Sequence, residues 1–400
     1  MGGNAFNAVL AANAFPRLPP KVYCALKARL FPALSNLYSW VGVPMEAPEK
    51  PNYGDLDFLV ACPKASTPHE VVDIPHQTIQ SVIGATFVNP MEGNRTSNYA
   101  VPVELGEWAS HEHAQEEEDS RRLADDEKIF YQVDVHVCTD KAEWDRVIFF
   151  NSYGDLGMIL GLVAKNNGLA LGVKGLKIPD PPNPPFPLSE SFSEITQFLE
   201  LPMEVYNAGF KTKVEIFEWV ALMKGFTSHQ FRTEGAGISK VKADRKMYAE
   251  FVQWVQANAQ SKPSEHGSRE VRQDKIRLEA LAFFQKNKEF EALAQARNDT
   301  QLLKEVFSGS RVREWAEMGE RWKGVKAIMD AVRQRLGGEE GVLKFVRQNS
   351  EDELKKVVLE VRDSLDLGVV PTDIGTLNTS TPSQFSITPA APKADGKGYL

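Results

Sequence analysis

Two aspartates stand two residues apart in the run Gly54-Asp55-Leu56-Asp57-Phe58-Leu59-Val60. On an extended strand alternate side chains share a face, so Asp55 and Asp57 project together while Leu56 and Phe58 point to the other side. Left unneutralised, such anions repel and one carboxyl pKa rises; a divalent cation held between them turns the repulsion into a site. Hard carboxylate oxygens suit Mg²⁺ or Mn²⁺ and not zinc. A third acid, Asp134, is set among valines in Gln132-Val133-Asp134-Val135-His136-Val137. If the two strands are neighbours in one sheet, Asp55, Asp57 and Asp134 form a three-carboxylate cluster able to hold two metal ions. Such a cluster activates an attacking oxygen and stabilises a leaving phosphate. His136 shares the Asp134 face and has two readings, a contact to phosphate or acceptor and a satisfied structural histidine. Lys50, in the loop before the acids, either offsets phosphate charge or is a solvated loop lysine.

The order of these residues carries a resemblance. Gly42-Val43, eleven further residues, Asp55-Leu56-Asp57-Phe58 and a later Val133-Asp134-Val135 resemble the DNA polymerase beta-like nucleotidyltransferase superfamily. Its pattern is a Gly-Gly or Gly-Ser pair, a spacer, an Asp-x-Asp or Asp-x-Glu strand, and a third carboxylate on another strand. The match covers roughly residues 37–138, with a looser extension to about 175. It implies metal-dependent transfer of a nucleoside monophosphate from an NTP co-substrate to a hydroxyl or phosphate acceptor, RNA or a small molecule among the candidates. It further implies that Asp55 and Asp57 ligate both metals and that Asp134 binds the catalytic metal and helps deprotonate the acceptor. Gly42, Val43, Lys50 and Gly54 become the candidate nucleotide-binding positions. Val43 departs from the pattern, since it supplies no hydroxyl to the triphosphate; backbone amides beside Gly42 remain able to bind phosphate. Gly2-Gly3-Asn4 is a rival phosphate loop, about 50 residues ahead of the first acid. Because of Val43, a second function stays open: a catalytically inactive module of the same fold, with its helical half as a partner surface.

Other chemistries lack their residues. There is no Cys-x-x-Cys, His-Glu-x-x-His, Gly-x-Ser-x-Gly, Rossmann glycine fingerprint or Walker loop, and His111-Glu112-His113 has no matching second ligand pair. Cys24, Cys62 and Cys138, odd in number and widely spaced, suit reduced, buried thiols better than a disulfide framework. The 400 residues include 42% hydrophobic and 25% charged side chains, enough apolar material for a large core. No run approaches the roughly 18 apolar residues of a membrane span, and no basic patch precedes an apolar run near the start, so a cytoplasmic or nuclear protein without membrane contact is expected. The net charge of −8 argues against a uniformly basic nucleic-acid surface. Residues 240–348 nevertheless carry 22 Lys and Arg against 16 Asp and Glu. That surplus permits a polyanion to approach, and it equally describes a solvated helical face of mixed sign.

The positioning elements follow from periodicity. Tyr23, Leu26, Leu30, Leu34 and Leu37 recur at helical spacing, with a kink or break expected at Pro32. DLDFLVA and IFYQVDVHVC read as strands. Residues 104–128, dense in acids, read as a mobile insertion. The expected fold is α+β, a nucleotidyltransferase-like mixed sheet with flanking helices over residues 1–177. A Pro-rich connector follows at 178–188, then an all-α domain at 189–368, whose aromatic-rich helices read as packing core, and a disordered tail at 369–400.

Overall fold

The computed structural model describes residues 4–6, 8–10, 13–64, 73–90, 95–231, 245–258 and 269–367. Gly2, Gly3 and the tail at 369–400 lie outside them. Helix α1 (Pro20–Leu37) opens on a proline, whose missing N–H would have no helical partner there in any case. Val22, Tyr23, Leu26, Leu30 and Leu34 form its buried stripe. The break expected at Pro32 does not occur: one helix runs through it. Pro32 and Ala28, the residue whose carbonyl it leaves without a donor, are both exposed, so solvent can satisfy that carbonyl.

Five strands form a mixed sheet: β1 (Tyr38–Gly42), β2 (Leu56–Pro63), β3 (Phe87–Pro90), β4 (Thr96–Pro102) and β5 (Phe130–Val137). Their order is β1-β2-β5-β4-β3. β2 and β5 run parallel, and the other pairings are antiparallel. A parallel pair needs a long crossover. Here it contains α2 (His76–Ile83), β3, β4 and α3 (Ala114–Leu123). One sheet face, with Leu56, Phe58, Val60, Tyr99, Val101, Tyr131, Val133 and Val135, is buried in one core with the stripe of α1 and with Ile79 and Ile83 of α2.

The acidic stretch 104–128, expected to be mobile, is folded. A 3-10 turn (Glu107–His111) leads to α3, and Trp108 is fully buried, its indole N–H donating to the Tyr131 hydroxyl at 2.8 Å. Trp108, Ala124 and Ile129 anchor the segment in the main core, and one buried acid ties its backbone together. Glu117 is 3% exposed and accepts from the backbone N–H groups of Gly106 (2.9 Å) and Trp108 (2.8 Å) and from Arg121 Nε (2.9 Å). Average composition conceals a single buried, fully bonded carboxylate among solvated ones.

Beyond α4 (Lys141–Asn151) and the apolar α5 (Leu156–Asn166) lies a second sheet of β6 (Ala170–Gly172), β7 (Gly175–Asp180) and β8 (Asn183–Ser189). The stretch 178–188, expected to be a connector, is therefore a β-hairpin with a cis Pro181–Pro182 bond. Edge strands tolerate proline because no N–H is required toward solvent. Pro184, Pro185 and Pro187 are exposed while Phe186 and Leu188 are buried, the period-two pattern of such a strand.

The domain boundary moves with it. The chain divides into compact units Met1–Phe290 and Glu291–Leu400, so the first contains both sheets and also α6 (Phe192–Phe198), α7 (Met203–Ala208), α8 (Lys213–Ala221), α9 (Lys246–Ala257) and α10 (Arg269–Phe283). Trp219, Tyr248 and Phe251 are buried, so these aromatics serve packing, as expected. Asp155, ahead of α5, accepts from the Tyr248 backbone N–H (3.2 Å) in the first turn of α9 and from Arg245 (2.9 Å). Cys138 is buried, Cys62 half-buried and Cys24 exposed, so Cys24 is not the core residue expected. Helix α11 (Asn287–Val306) spans the boundary between the two units.

In the second unit α12 (Gly309–Trp315), α13 (Trp322–Leu336), α14 (Gly338–Gln348) and α15 (Glu351–Ser364) enclose a core that includes Val312, Met318, Ile328, Val332, Val342, Leu354 and Val358. Ser350 and Glu353 form a reciprocal capping box at the start of α15. Ser350→Ala is expected to cost about 1 kcal/mol in the unfolding of this unit; an unchanged urea midpoint would show that the cap contributes nothing. Among the described residues no single helix is long and apolar enough to cross a membrane.

Candidate functional site

The two faces of the five-stranded sheet differ. Alternation places Asp57, Leu59 and Ala61 of β2, Gln132, Asp134 and His136 of β5, and Thr96, Asn98 and Ala100 of β4 opposite the main core. At one end of this second face Leu59 and Ala61 pack with Cys138 and with Val147 of α4. At the other, Ala100 and Phe130 pack with Phe6 and Ala14. Between these apolar patches a polar row crosses four strands in register: Asp57 opposite Asp134, Asp134 opposite Asn98, Asn98 opposite Asn89.

The structure thus brings Asp57 and Asp134 together as direct partners on parallel strands, the adjacency that spacing alone left open. Asp55 lies one residue ahead of β2, half-buried at the edge of the pair. Asp134 is half-buried and bonded: Oδ1 accepts from Asn98 Nδ2 at 2.7 Å and from Gln132 Nε2 at 3.0 Å, and Oδ2 accepts from Gln132 at 3.2 Å. Burial raises the Asp134 pKa, the two amides pull it back, and the Asp55 charge pushes it up again. Asp57 is accessible to solvent, and among the described residues no hydrogen bond reaches its carboxylate. Surrounding protein atoms first, then the charges of Asp55, Asp134 and Glu46, push it up to about 7, with Lys50 opposing. Two facing acids, one with its pKa raised to about 7, are a donor set suited to a hard divalent cation. Among the described residues, however, no group of three His, Cys, Asp or Glu converges to hold a metal ion. The expected three-acid cluster is present as an opposed pair with Asp55 beside it, not as a closed ligand set.

The candidate nucleotide-binding residues are placed less favourably. Gly42 ends β1 opposite Leu59, and a Cβ there would lie 2.5 Å from Trp144 Cζ2 and 2.7 Å from Ile148 Cδ1. The bare Cα is required by the approach of α4. Val43 and Tyr53 pack against the main core, and Gly54 is buried immediately before Asp55. Lys50 Nζ donates to Glu46 Oε2 at 2.6 Å and sits 4.5 Å from the centre of the Tyr53 ring; Tyr23 also donates to Glu46, at 2.5 Å. Gly42→Ala is expected to destabilise the fold by about 1–3 kcal/mol through overpacking. Thermal unfolding checks this, and a variant of unchanged stability would return Gly42 to a ligand-binding role.

His136 shares a 2.8 Å hydrogen bond with the Thr96 hydroxyl. Burial, then the Arg95 charge, holds its pKa below the ordinary value, against Glu143. Its ring is accordingly neutral and partnered, as in the structural reading. Sequence reasoning missed Asn98, Gln132 and Glu46. For Gln132 a signal exists: it lies two residues before Asp134 on one strand and so shares its face. No protein-family model matches the chain, and no curated protein matches it in sequence.

Proposed function

We propose that the chain is a metal-dependent nucleotidyltransferase that moves a nucleoside monophosphate from an NTP to an acceptor hydroxyl or phosphate. The observation that carries this proposal is the register of β2 and β5, which sets Asp57 opposite Asp134 on the sheet face between two apolar patches. Further support comes from the raised Asp57 pKa, which desolvation by surrounding atoms causes first and the charges of Asp55, Asp134 and Glu46 increase. Asp57 and Asp134, with Asp55 alongside, would hold Mg²⁺ or Mn²⁺, which when bound neutralises triphosphate charge. The protein's own part is to hold Asp134 through Asn98 and Gln132, to leave Asp57 without a hydrogen bond from the described residues, and to place the Lys50 charge near Asp57. RNA and small molecules remain the acceptor classes under this proposal, with the order of motifs matching the nucleotidyltransferase pattern from Gly42 to Asp134.

A second reading has its own observations. Lys50 is already paired with Glu46, Val43 packs against the core, Gly42 serves the packing of α4, and among the described residues no closed three-acid ligand set is formed. These favour a module of this fold that does not transfer nucleotides. Incubating the chain with each α-labelled NTP, Mg²⁺ and mixed RNA or small-molecule acceptors separates the two. Labelled product and released pyrophosphate, lost in Asp134→Ala, are expected of the enzyme; no turnover of any NTP favours the module.

A further inference from the structure

Asp57 and Asp134 face each other across one strand pairing, yet their surroundings are unlike. Asn98 and Gln132, on the two sides of Asp134, are 6% and 5% exposed, and each turns its amide NH₂ onto the same carboxylate. A buried primary amide needs partners for its N–H groups. Two of them aimed at one acid leave their N–H groups without an acceptor of matching charge unless the acid stays ionised. Among the described residues, Oδ1 receives both amides at 2.7 and 3.0 Å, whereas Oδ2 takes only the longer Gln132 contact, at 3.2 Å. Oδ1 is therefore committed to the protein, and Oδ2 is the oxygen with lone pairs to spare.

Building on the proposed function, we infer that Asn98 and Gln132 are positioning residues that lock Asp134 in one rotamer and present Oδ2 to a divalent cation, leaving Asp57 as the adjustable ligand. Outer-shell hydrogen bonds of this kind typically alter metal affinity by about 10–100-fold when removed.

The test is direct binding of Mn²⁺ alone, read by the loss of the free-ion paramagnetic signal, to the full chain and to Asn98→Leu, Asn98→Ser and Gln132→Met, with the thermal midpoint of each recorded. Folded Asn98→Leu and Gln132→Met should bind Mn²⁺ about 10–100-fold more weakly than wild type, and Asn98→Ser, which keeps a shorter donor, should lose less. If Asn98→Leu fails to fold, Asn98→Ser and Gln132→Met decide. Wild-type affinity in the folded variants, with lowered midpoints only, overturns the positioning role. Asp57→Asn separates the layers: if it abolishes Mn²⁺ binding while the amide variants bind as wild type, the site stands and this inference fails. If the wild type binds no Mn²⁺, both fail.

Discussion

Asp57→Asn is expected to reduce NTP consumption by at least ~10³-fold while making the metal-free chain more stable. The two effects share a cause. Surrounding atoms desolvate Asp57, and the charges of Asp55, of Asp134 in register with it and of Glu46 add to this, so its pKa is raised to about 7. An unfolded aspartate titrates near ~3.9. Between those values the folded chain holds a proton that the unfolded chain has released, so stability falls as pH rises from about 4 through 7, and the whole penalty is present above that. Asparagine removes the charge at nearly constant volume and should abolish this pH dependence. Mg²⁺ should do the same for wild type above neutral pH and little at pH 5. Thermal melts of both proteins from pH 4.5 to 8.5, with and without Mg²⁺, check the stability half. Parallel pH profiles for the two proteins would show that Asp57 carries no uncompensated charge.

Glu117→Ala should be the most damaging single change outside the main core, at about 3 kcal/mol or more. Its carboxylate satisfies two backbone N–H groups and Arg121, and Arg121 in turn donates to the carbonyls of Val103, Glu104 and Glu127. Removing the acid leaves the half-buried Arg121 guanidinium without its carboxylate and the Gly106 and Trp108 amides without their acceptor. Burial alone would raise the Glu117 pKa, but the Trp108 amide, Arg121 and the Gly106 amide outweigh it and hold the carboxyl below its usual range. The stability it contributes is therefore present above the unfolded value near ~4.3 and is lost as pH falls through the lower folded value. Urea unfolding at pH 7, with Glu118→Ala as a solvated control expected to change stability by less than about 0.5 kcal/mol, checks the magnitude. Equal midpoints for the two variants would mean that residues 104–128 do not depend on this acid.

The sequence reveals local alternation readily and distant pairing poorly. Valines flanking Asp134 and apolar residues flanking Asp57 are enough to place each acid on a strand. That β2 and β5 lie side by side and in register is a non-local fact, settled by the cores that α1, α2 and α4 build on the two faces. The hairpin at 175–189 is misread because its prolines register as chain breakers, although Phe186 and Leu188 alternate with them. The acidic segment is misread because composition averages Glu117 with its solvated neighbours; the Trp108 beside it and the Arg121 one turn later are the legible clues. Gly42 shows the limit of motif reading. A glycine ahead of an acidic strand suggests a phosphate loop, whereas its environment shows an indole where a side chain would be. The boundary after Phe290 has no such mark, because α6 to α10 belong with the sheets through packing that sequence does not display.

The most direct test of the central claim is calorimetric titration of a non-hydrolysable NTP analogue into the full chain, with and without Mg²⁺, using wild type, Asp57→Asn and Asp134→Asn. Binding heat that requires Mg²⁺ and disappears in both variants is the result expected of a carboxylate pair built to hold a cation against a triphosphate. Equal heats in all three proteins, or none in the wild type, would contradict it.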